Sequence, residues 1–286
     1  MNRNFPLPPL AQIPPHLQTI ADYEQQAQKH LSDMVWQYLQ GGAMDEISVR
    51  SNLDQFAQIQ LLPRMLQDLT RGSTECEIFG QKFPHPIFLA PIGHQQQFHP
   101  EAEAASALAA EVLGSNMILS TFSNTDMRAL KRENPAKWFQ LYWQGGREKS
   151  LALVKLAEQQ NFTAIVITVD SPHAGIRDRE RRIFFHLPDG MQHPHSPAHI
   201  PLPELKAGEH PVFNGLMKIA PTWDDIAWIA QQTALPIILK GVLHPLDARL
   251  AMQHGVQGLI VSNHGGRVLD TGIPPLTALQ LIKKAV

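Results

Sequence analysis

From Pro86 onward the sequence alternates short apolar runs with stretches of helical spacing, and this rhythm confines the fold to parallel α/β architecture. The apolar runs cover residues 87–90, 117–120, 138–142, 164–170, 237–240 and 259–262. They are apolar without alternation, as strands covered on both faces are. Helices are expected between and after them, at 101–113, 125–132, 148–159, 223–232, 245–254 and 277–285. Polar side chains gather where the runs end: Ser120, Gln140, Tyr142, Thr168, Asp170, Lys240 and, just past the last run, His264. In a (β/α) barrel the carboxyl ends of the strands form the active face. A flat doubly wound sheet fits less well, because no glycine-rich phosphate turn follows the first strand. The expected fold is therefore an α/β, (β/α)8 TIM barrel. Only six strand-helix units are counted, against eight in a complete barrel of ~250 residues, so it is expected to be truncated after the sixth unit.

Residues 1–85 read differently and are expected to cap the barrel formed by 86–286. A proline-rich arm covers 6–15. Leu31, Met34, Val35, Tyr38 and Leu39 recur at helical spacing, which predicts one helix over 22–40 stopped by Gly41-Gly42. A second helix is expected at 48–56, and short extended pieces at 60–64 and 75–79, the latter turning at Gly80.

Composition excludes several classes of function. A hydrophobic content of 43% over 286 residues suffices for a packed core, and a net charge of −2 leaves no electrostatic footprint for nucleic acid or an anionic membrane. The apolar runs are strand-sized, short of the ~20 residues of a membrane helix, so no membrane insertion is expected. The first fifteen residues lack a signal-peptide core. The single cysteine, Cys76, excludes an intrachain disulfide framework and fits a reducing compartment, with a packing role near Ile78 and Phe79. A cytoplasmic protein is expected, and assembly into a homo-oligomer stays open.

About fifty residues, 171–222, separate the fourth run from the next helix. His193, His195 and His199 lie there among Pro194, Pro197, Pro201 and Pro203, without a cysteine or carboxylate beside them. That pattern favours a mobile surface loop over a zinc site.

The densest chemistry is Ser262-Asn263-His264-Gly265-Gly266-Arg267, directly after the last run. A proton acceptor three residues from a fixed cation suits proton or hydride removal from a small anionic substrate. The alternative is a strand-ending turn in which Gly265-Gly266 bend the backbone and His264 is solvated.

With Leu89-Ala90-Pro91-Ile92-Gly93, His99-Pro100-Glu101, Phe139-Gln140-Leu141-Tyr142, Thr168-Val169-Asp170, Gly175-Ile176-Arg177-Asp178-Arg179 and Lys240-Gly241, the hexad makes the chain from Asp22 to Val286 resemble the FMN-dependent α-hydroxy acid oxidases and dehydrogenases. Glycolate oxidase, lactate oxidase, lactate 2-monooxygenase and mandelate dehydrogenase belong to that group. The resemblance implies oxidation of an L-2-hydroxy acid, lactate-like, to the 2-oxo acid. It implies His264 as the base, Asp170 as the carboxylate that pairs with the imidazolium, and Arg177 and Arg267 as the forks that hold the substrate carboxylate. Tyr38 and Tyr142 are implied as hydrogen-bonding partners of substrate oxygens. For FMN it implies the backbone of Pro91, Ile92 and Gly93 beside the ring, Ser120, Gln140, Thr168 and Ser262 at polar positions, and Lys240 near the pyrimidine portion. No metal is implied.

Read without the resemblance, Asp170 also serves as a helix N-cap before Ser171-Pro172, and Arg177 as a loop ion pair within the charge run at 178–182. Tyr38 also serves as helix core, and Ser120 and Thr168 as ordinary satisfied hydroxyls. The resemblance further implies that the phosphate-binding loops belong to a seventh and eighth unit. A fragment, one half of a split protein and an inactive truncated paralogue unable to hold FMN all fit this pattern. Another FMN- or phosphate-binding barrel, of the isopentenyl-diphosphate isomerase kind, is the alternative enzyme. Gly93 matches lactate 2-monooxygenase and mandelate dehydrogenase, Arg177-Asp178-Arg179 is similar to lactate oxidase, and Phe122 replaces the tryptophan of glycolate oxidase. Together these favour lactate or a larger 2-hydroxy acid.

Overall fold

The structure, a computed structural model, describes residues 6–130, 137–196 and 200–286. Three helices open the chain: α1 (Ile20–His30), α2 (Asp33–Gln40) and α3 (Ile47–Gln58). The single helix expected over 22–40 is thus two. Leu31 is extended (φ −102°, ψ 153°) and the Ser32 hydroxyl accepts a hydrogen bond from Val35 N at 3.3 Å, so a serine that caps well restarts the helix. α3 has no side-chain cap of its own. Its amino end is held instead by the Asp270 carboxylate, which accepts from Ser48 N (2.8 Å) and Asp45 N (3.1 Å).

Residues 60–64, expected to be extended, find no strand partner among the described residues, and Leu61 and Leu62 are exposed. The 75–79 piece does pair. β1 (Cys76–Ile78) and β2 (Gln81–Phe83) form a hairpin joined by Phe79 (φ 50°) and Gly80 (φ 74°), the two left-handed residues a tight hairpin turn requires.

The main sheet is parallel throughout, in the order β3 (Ile118–Ser120), β4 (Trp138–Leu141), β5 (Ala164–Thr168), β6 (Ile237–Lys240) and β7 (Gly258–Ile260). The first expected strand contracts to one parallel bridge, Leu89 with Met117. Pro86 and Pro91 flank it, and proline has no N–H to extend a ladder. Helices α4 (Ala102–Val112), α5 (Arg147–Gln159), α7 (Trp223–Gln231), α8 (Pro245–Gln253) and α9 (Pro275–Lys283) follow the strands, with α6 (Asp178–Arg182) inside the long connection. The helix expected at 125–132 is only a turn over 127–129, because the Asp126 carboxylate takes Arg128 N at 2.8 Å in place of a helical partner. Lys131 and Arg132 lie outside the described residues.

Strand side chains sort by a period of two. Leu119, Phe139, Leu141, Ile165, Ile167, Ile237 and Leu239 pack against Val154, Ala157, Ile226, Ile229, Ala248 and Ala251 of the helices. Ile118, Trp138, Ala164, Val166 and Ile238 form a second, inner cluster with Phe88 and Ile260. Two residues further along the inner face come Ser120, Gln140, Thr168, Lys240 and Ser262. The pleat therefore delivers the polar set to one end of one face. Among the described residues no strand pairs with the outer edge of β7 or of Leu89.

The connection at 171–222 is not the free surface loop expected of it. His195 is 2% exposed and its Nε2 accepts from Met127 N at 2.9 Å. His193 Nε2 lies 2.7 Å from His94 Nδ1, and the Asn124 side-chain amide donates to Gln192 O at 3.0 Å. These bonds tie the loop to the strand ends. The two histidines face different partners, and His199 lies outside the described residues.

Candidate active site

His264 stands on a short turn after β7, in left-handed backbone (φ 58°), with its N–H donated to Ser262 Oγ at 3.0 Å. Asn263 fixes the turn: its side-chain oxygen accepts from Gly266 N (3.1 Å), and it exchanges two amide hydrogen bonds with Asn52 of α3 at 2.9 and 2.8 Å. The solvated-histidine alternative is thereby replaced. His264 Nδ1 lies 2.8 Å from Asp170 Oδ1 and Nε2 lies 3.3 Å from the Tyr142 hydroxyl. A carboxylate only accepts, so Nδ1–H donates to Asp170, and in the neutral ring Nε2 is left to present a lone pair. Burial, then the nearby Asp170, pushes the Tyr142 phenol up to about 12, which keeps it a donor to that lone pair. Asp170 does not cap a helix. Its second oxygen, Oδ2, is buried without a partner among the described residues.

The two guanidinium groups converge on one carboxylate oxygen. Glu180 Oε1 accepts from Arg177 Nη1 at 3.0 Å and from Arg267 Nη2 at 2.8 Å. Arg267 Nη1 also donates to the carbonyls of Tyr38 and Gly41, and its Cζ lies 4.8 Å from the Tyr38 ring centroid. Arg179 instead holds Glu46 and Gln37, fastening α6 to the amino-terminal helices. Arg177 is thus both a loop ion pair and a wall of the cavity. Tyr38 stacks on Phe185 (centroids 4.3 Å apart), and burial raises its pKa against the opposing effect of Arg267.

Two adjoining cavities, ≈ 550 Å³ and ≈ 380 Å³, share Tyr38, His94, Phe122, Tyr142, Thr168, His264 and Arg267 as walls. The larger also takes in Arg177, so five of the six expected catalytic residues line it, and Asp170 stands behind His264. The smaller is bordered by Pro91, Ile92, Gly93, Ser120, Lys240 and Ser262. Gly93 lets the chain pass Phe122 closely, since a Cβ there would lie 2.8 Å from Phe122 Cβ. Gln140 departs from expectation. It is 2% exposed and lines neither cavity, taking the Ser120 hydroxyl on its Oε1 (3.1 Å) and donating from Nε2 to Thr168 Oγ1 (2.9 Å).

The smaller cavity suits a flat heteroaromatic ring with carbonyl edges. Thr168 Oγ1 and Ser262 Oγ each accept from protein donors, so their own O–H groups are free to donate. Lys240 is 9% exposed, and its ammonium makes one bond among the described residues, to Ser262 Oγ at 3.2 Å. Burial lowers its pKa, partly opposed by Asp170, so an anionic or carbonyl partner is chemically favoured there. Glu180 and His94 were not singled out by the sequence. Glu180 sits in a charge run that reads as solvated, and His94 immediately follows the Pro91–Gly93 motif.

An inward-facing polar slot at the carboxyl ends of a parallel sheet, joined to a cavity with a histidine and two arginines, places the chain among parallel α/β proteins built for a flat cofactor beside a small anion. Residues 27–286 match the FMN-dependent dehydrogenase family, and the chain belongs to that family, with FMN as its cofactor. It is 40% identical over 274 residues to an L-lactate oxidase of Roseobacter sp. (strain GAI101), covering 94% of this chain and 73% of that protein. It is 37% identical over 270 residues to a 4-hydroxymandelate oxidase of Amycolatopsis orientalis, covering 94% and 76%. A crystal structure of mandelate oxidase with benzoyl-formic acid superposes with a TM-score of 0.83 at 35% identity, covering 93% of this chain and 74% of that one. No helix among the described residues is long and apolar enough to cross a membrane.

Proposed function

We propose that the protein oxidises an L-2-hydroxy acid to the corresponding 2-oxo acid. One observation carries the reading: His264 is oriented by Asp170 so that Nε2 opens into the cavity that both guanidinium groups also line. FMN, when bound, supplies the acceptor for the two electrons, with Pro91, Ile92, Gly93, Ser120, Thr168, Lys240 and Ser262 around it. Gln140 acts at one remove, by orienting the Ser120 and Thr168 hydroxyls.

Two arginines against one Glu180 carboxylate leave one positive charge uncompensated, which matches a single substrate carboxylate. Tyr38 and Tyr142 add hydroxyl donors to the substrate oxygens. His264 Nε2 takes the proton from the substrate hydroxyl or α-carbon, and Asp170 stabilises the resulting imidazolium. The walls of Tyr38, Phe122 and Tyr142 exclude water from that transfer.

The two free sheet edges support a further reading, that two more β/α units close the barrel and carry the phosphate site. An inactive paralogue is the second functional reading. The test is His264→Gln in the FMN-loaded protein. Turnover should fall ~10²–10⁴-fold with FMN absorbance retained, the usual worth of a positioned base. Unchanged turnover would remove His264 from the mechanism. A wild-type protein that takes up no FMN, alone or supplied with further units, and turns over no 2-hydroxy acid would favour the inactive paralogue.

A further inference from the structure

The larger cavity is lined by both polar and apolar side chains. Arg177, Arg267, Tyr142 and His264 supply a polar head, whereas Trp143, Ile200, Leu202, Leu216, Ile219 and Pro221 supply an apolar wall. Among the described residues Arg177 and Arg267 are the only Arg, Lys, Asp or Glu side chains that line this cavity. Five of the wall's six residues come from the long connection, which the His193–His94 contact and the buried His195 hold against the strand ends. The seating is close: a Cβ at Gly145 would lie 2.7 Å from Ile200 Cγ2 and 3.6 Å from Ile219 Cδ1. At ≈ 550 Å³ the space is of the size that takes drug-sized ligands, far beyond a methyl side chain.

We infer that the substrate is a 2-hydroxy acid with an extended, uncharged apolar side chain, and that Ile200, Leu202, Leu216 and Ile219 select it. This rests on the function proposed above and names the substrate class for that site. The carboxylate and hydroxyl occupy the head, where the charge is balanced. The side chain lies along the loop wall, where burying apolar surface is favourable and a second charge would be stranded without a partner. Lactate fits the head and leaves the wall uncovered.

The test compares kcat/KM of the FMN-loaded, full-length protein across L-lactate, L-2-hydroxybutanoate, L-2-hydroxyhexanoate and L-2-hydroxyoctanoate, with L-malate as the charged-tail control. Each methylene buried on the wall should raise kcat/KM about fourfold, and malate should be the poorest substrate. Ile219→Asp should reduce the octanoate-to-lactate ratio at least about tenfold. Calorimetric affinities of pyruvate and 2-oxooctanoate read the same wall without turnover. Affinity and kcat/KM that are flat with chain length, or a preference for malate, overturn the inference, and lactate turnover would then leave the proposed function standing. Tighter binding of 2-oxooctanoate with no turnover of any 2-hydroxy acid would support the apolar wall and defeat the proposed function instead.

Discussion

Gly241 makes room for Asp170: a Cβ built at position 241 would lie 2.4 Å from both Cβ and Cγ of Asp170. Gly241 also sits at φ +108°, backbone that L side chains rarely adopt. The residue after Lys240 is therefore fixed by the carboxylate that orients His264, and cofactor-side and base-side chemistry are packed against each other at one backbone position.

Gly241→Ala should push Asp170 away from His264 and add backbone strain of about 1–3 kcal/mol. Turnover should fall with the melting temperature. Asp170→Asn separates the two effects: it keeps the shape but removes the charge that stabilises the imidazolium, so kcat should fall with little change in thermal stability. Steady-state kinetics beside thermal unfolding checks both, and equal kcat for Asp170→Asn and wild type would contradict the orienting role.

Arg267→Lys keeps the charge but loses the fork that reaches the Tyr38 and Gly41 carbonyls and Glu180 together. A lysine cannot span those acceptors bidentately. KM should rise by an amount equivalent to about 1–3 kcal/mol, and fluorescence or limited proteolysis should report loosening of the helix that carries Tyr38.

The His94–His193 contact gives a pH dependence whose sign is fixed. Burial, then the neighbouring His193, lowers the His94 pKa from 6.5 to about 4, and burial lowers that of His193 as well. Between about 4 and 6.5 the unfolded chain takes up protons that the folded chain refuses. Stability is fully present above 6.5 and falls as pH drops through that window, by roughly 2–3 kcal/mol from His94. Denaturant unfolding at pH 7, 5.5 and 4 should show the decline, and His94→Phe should flatten it. An unchanged slope in the variant would assign the pH dependence elsewhere.

Asp270 caps a helix from 222 residues away. Asp270→Ala should cost about 1–2 kcal/mol, the usual loss of a good cap, because α3 has no side-chain cap of its own. Since α3 also carries Asn52, which pairs with Asn263 beside His264, activity should decline more than the stability loss alone explains. Parallel measurement of melting temperature and kcat tests this.

Periodicity in the sequence determined the parallel α/β class, five of the strand positions to within two residues, and the inner face on which Ser120, Thr168, Lys240 and Ser262 end. Those properties are local, because the pleat repeats every two residues and an apolar run announces its own burial. The hexad likewise announced His264 and Arg267. Tertiary structure alone decided the partners: Glu180 under both guanidinium groups, His94 against His193, Gln140 behind the hydroxyls it orients, Asp270 on α3, and the apolar wall built by the long connection. The contacts of Glu180 with Arg267, of His94 with His193 and of Asp270 with Ser48 join residues 87, 99 and 222 positions apart. A short charge run or a proline-rich loop looks solvated until the chain closes on itself, and only then does each side chain acquire the neighbour that sets its charge, its tautomer or its burial.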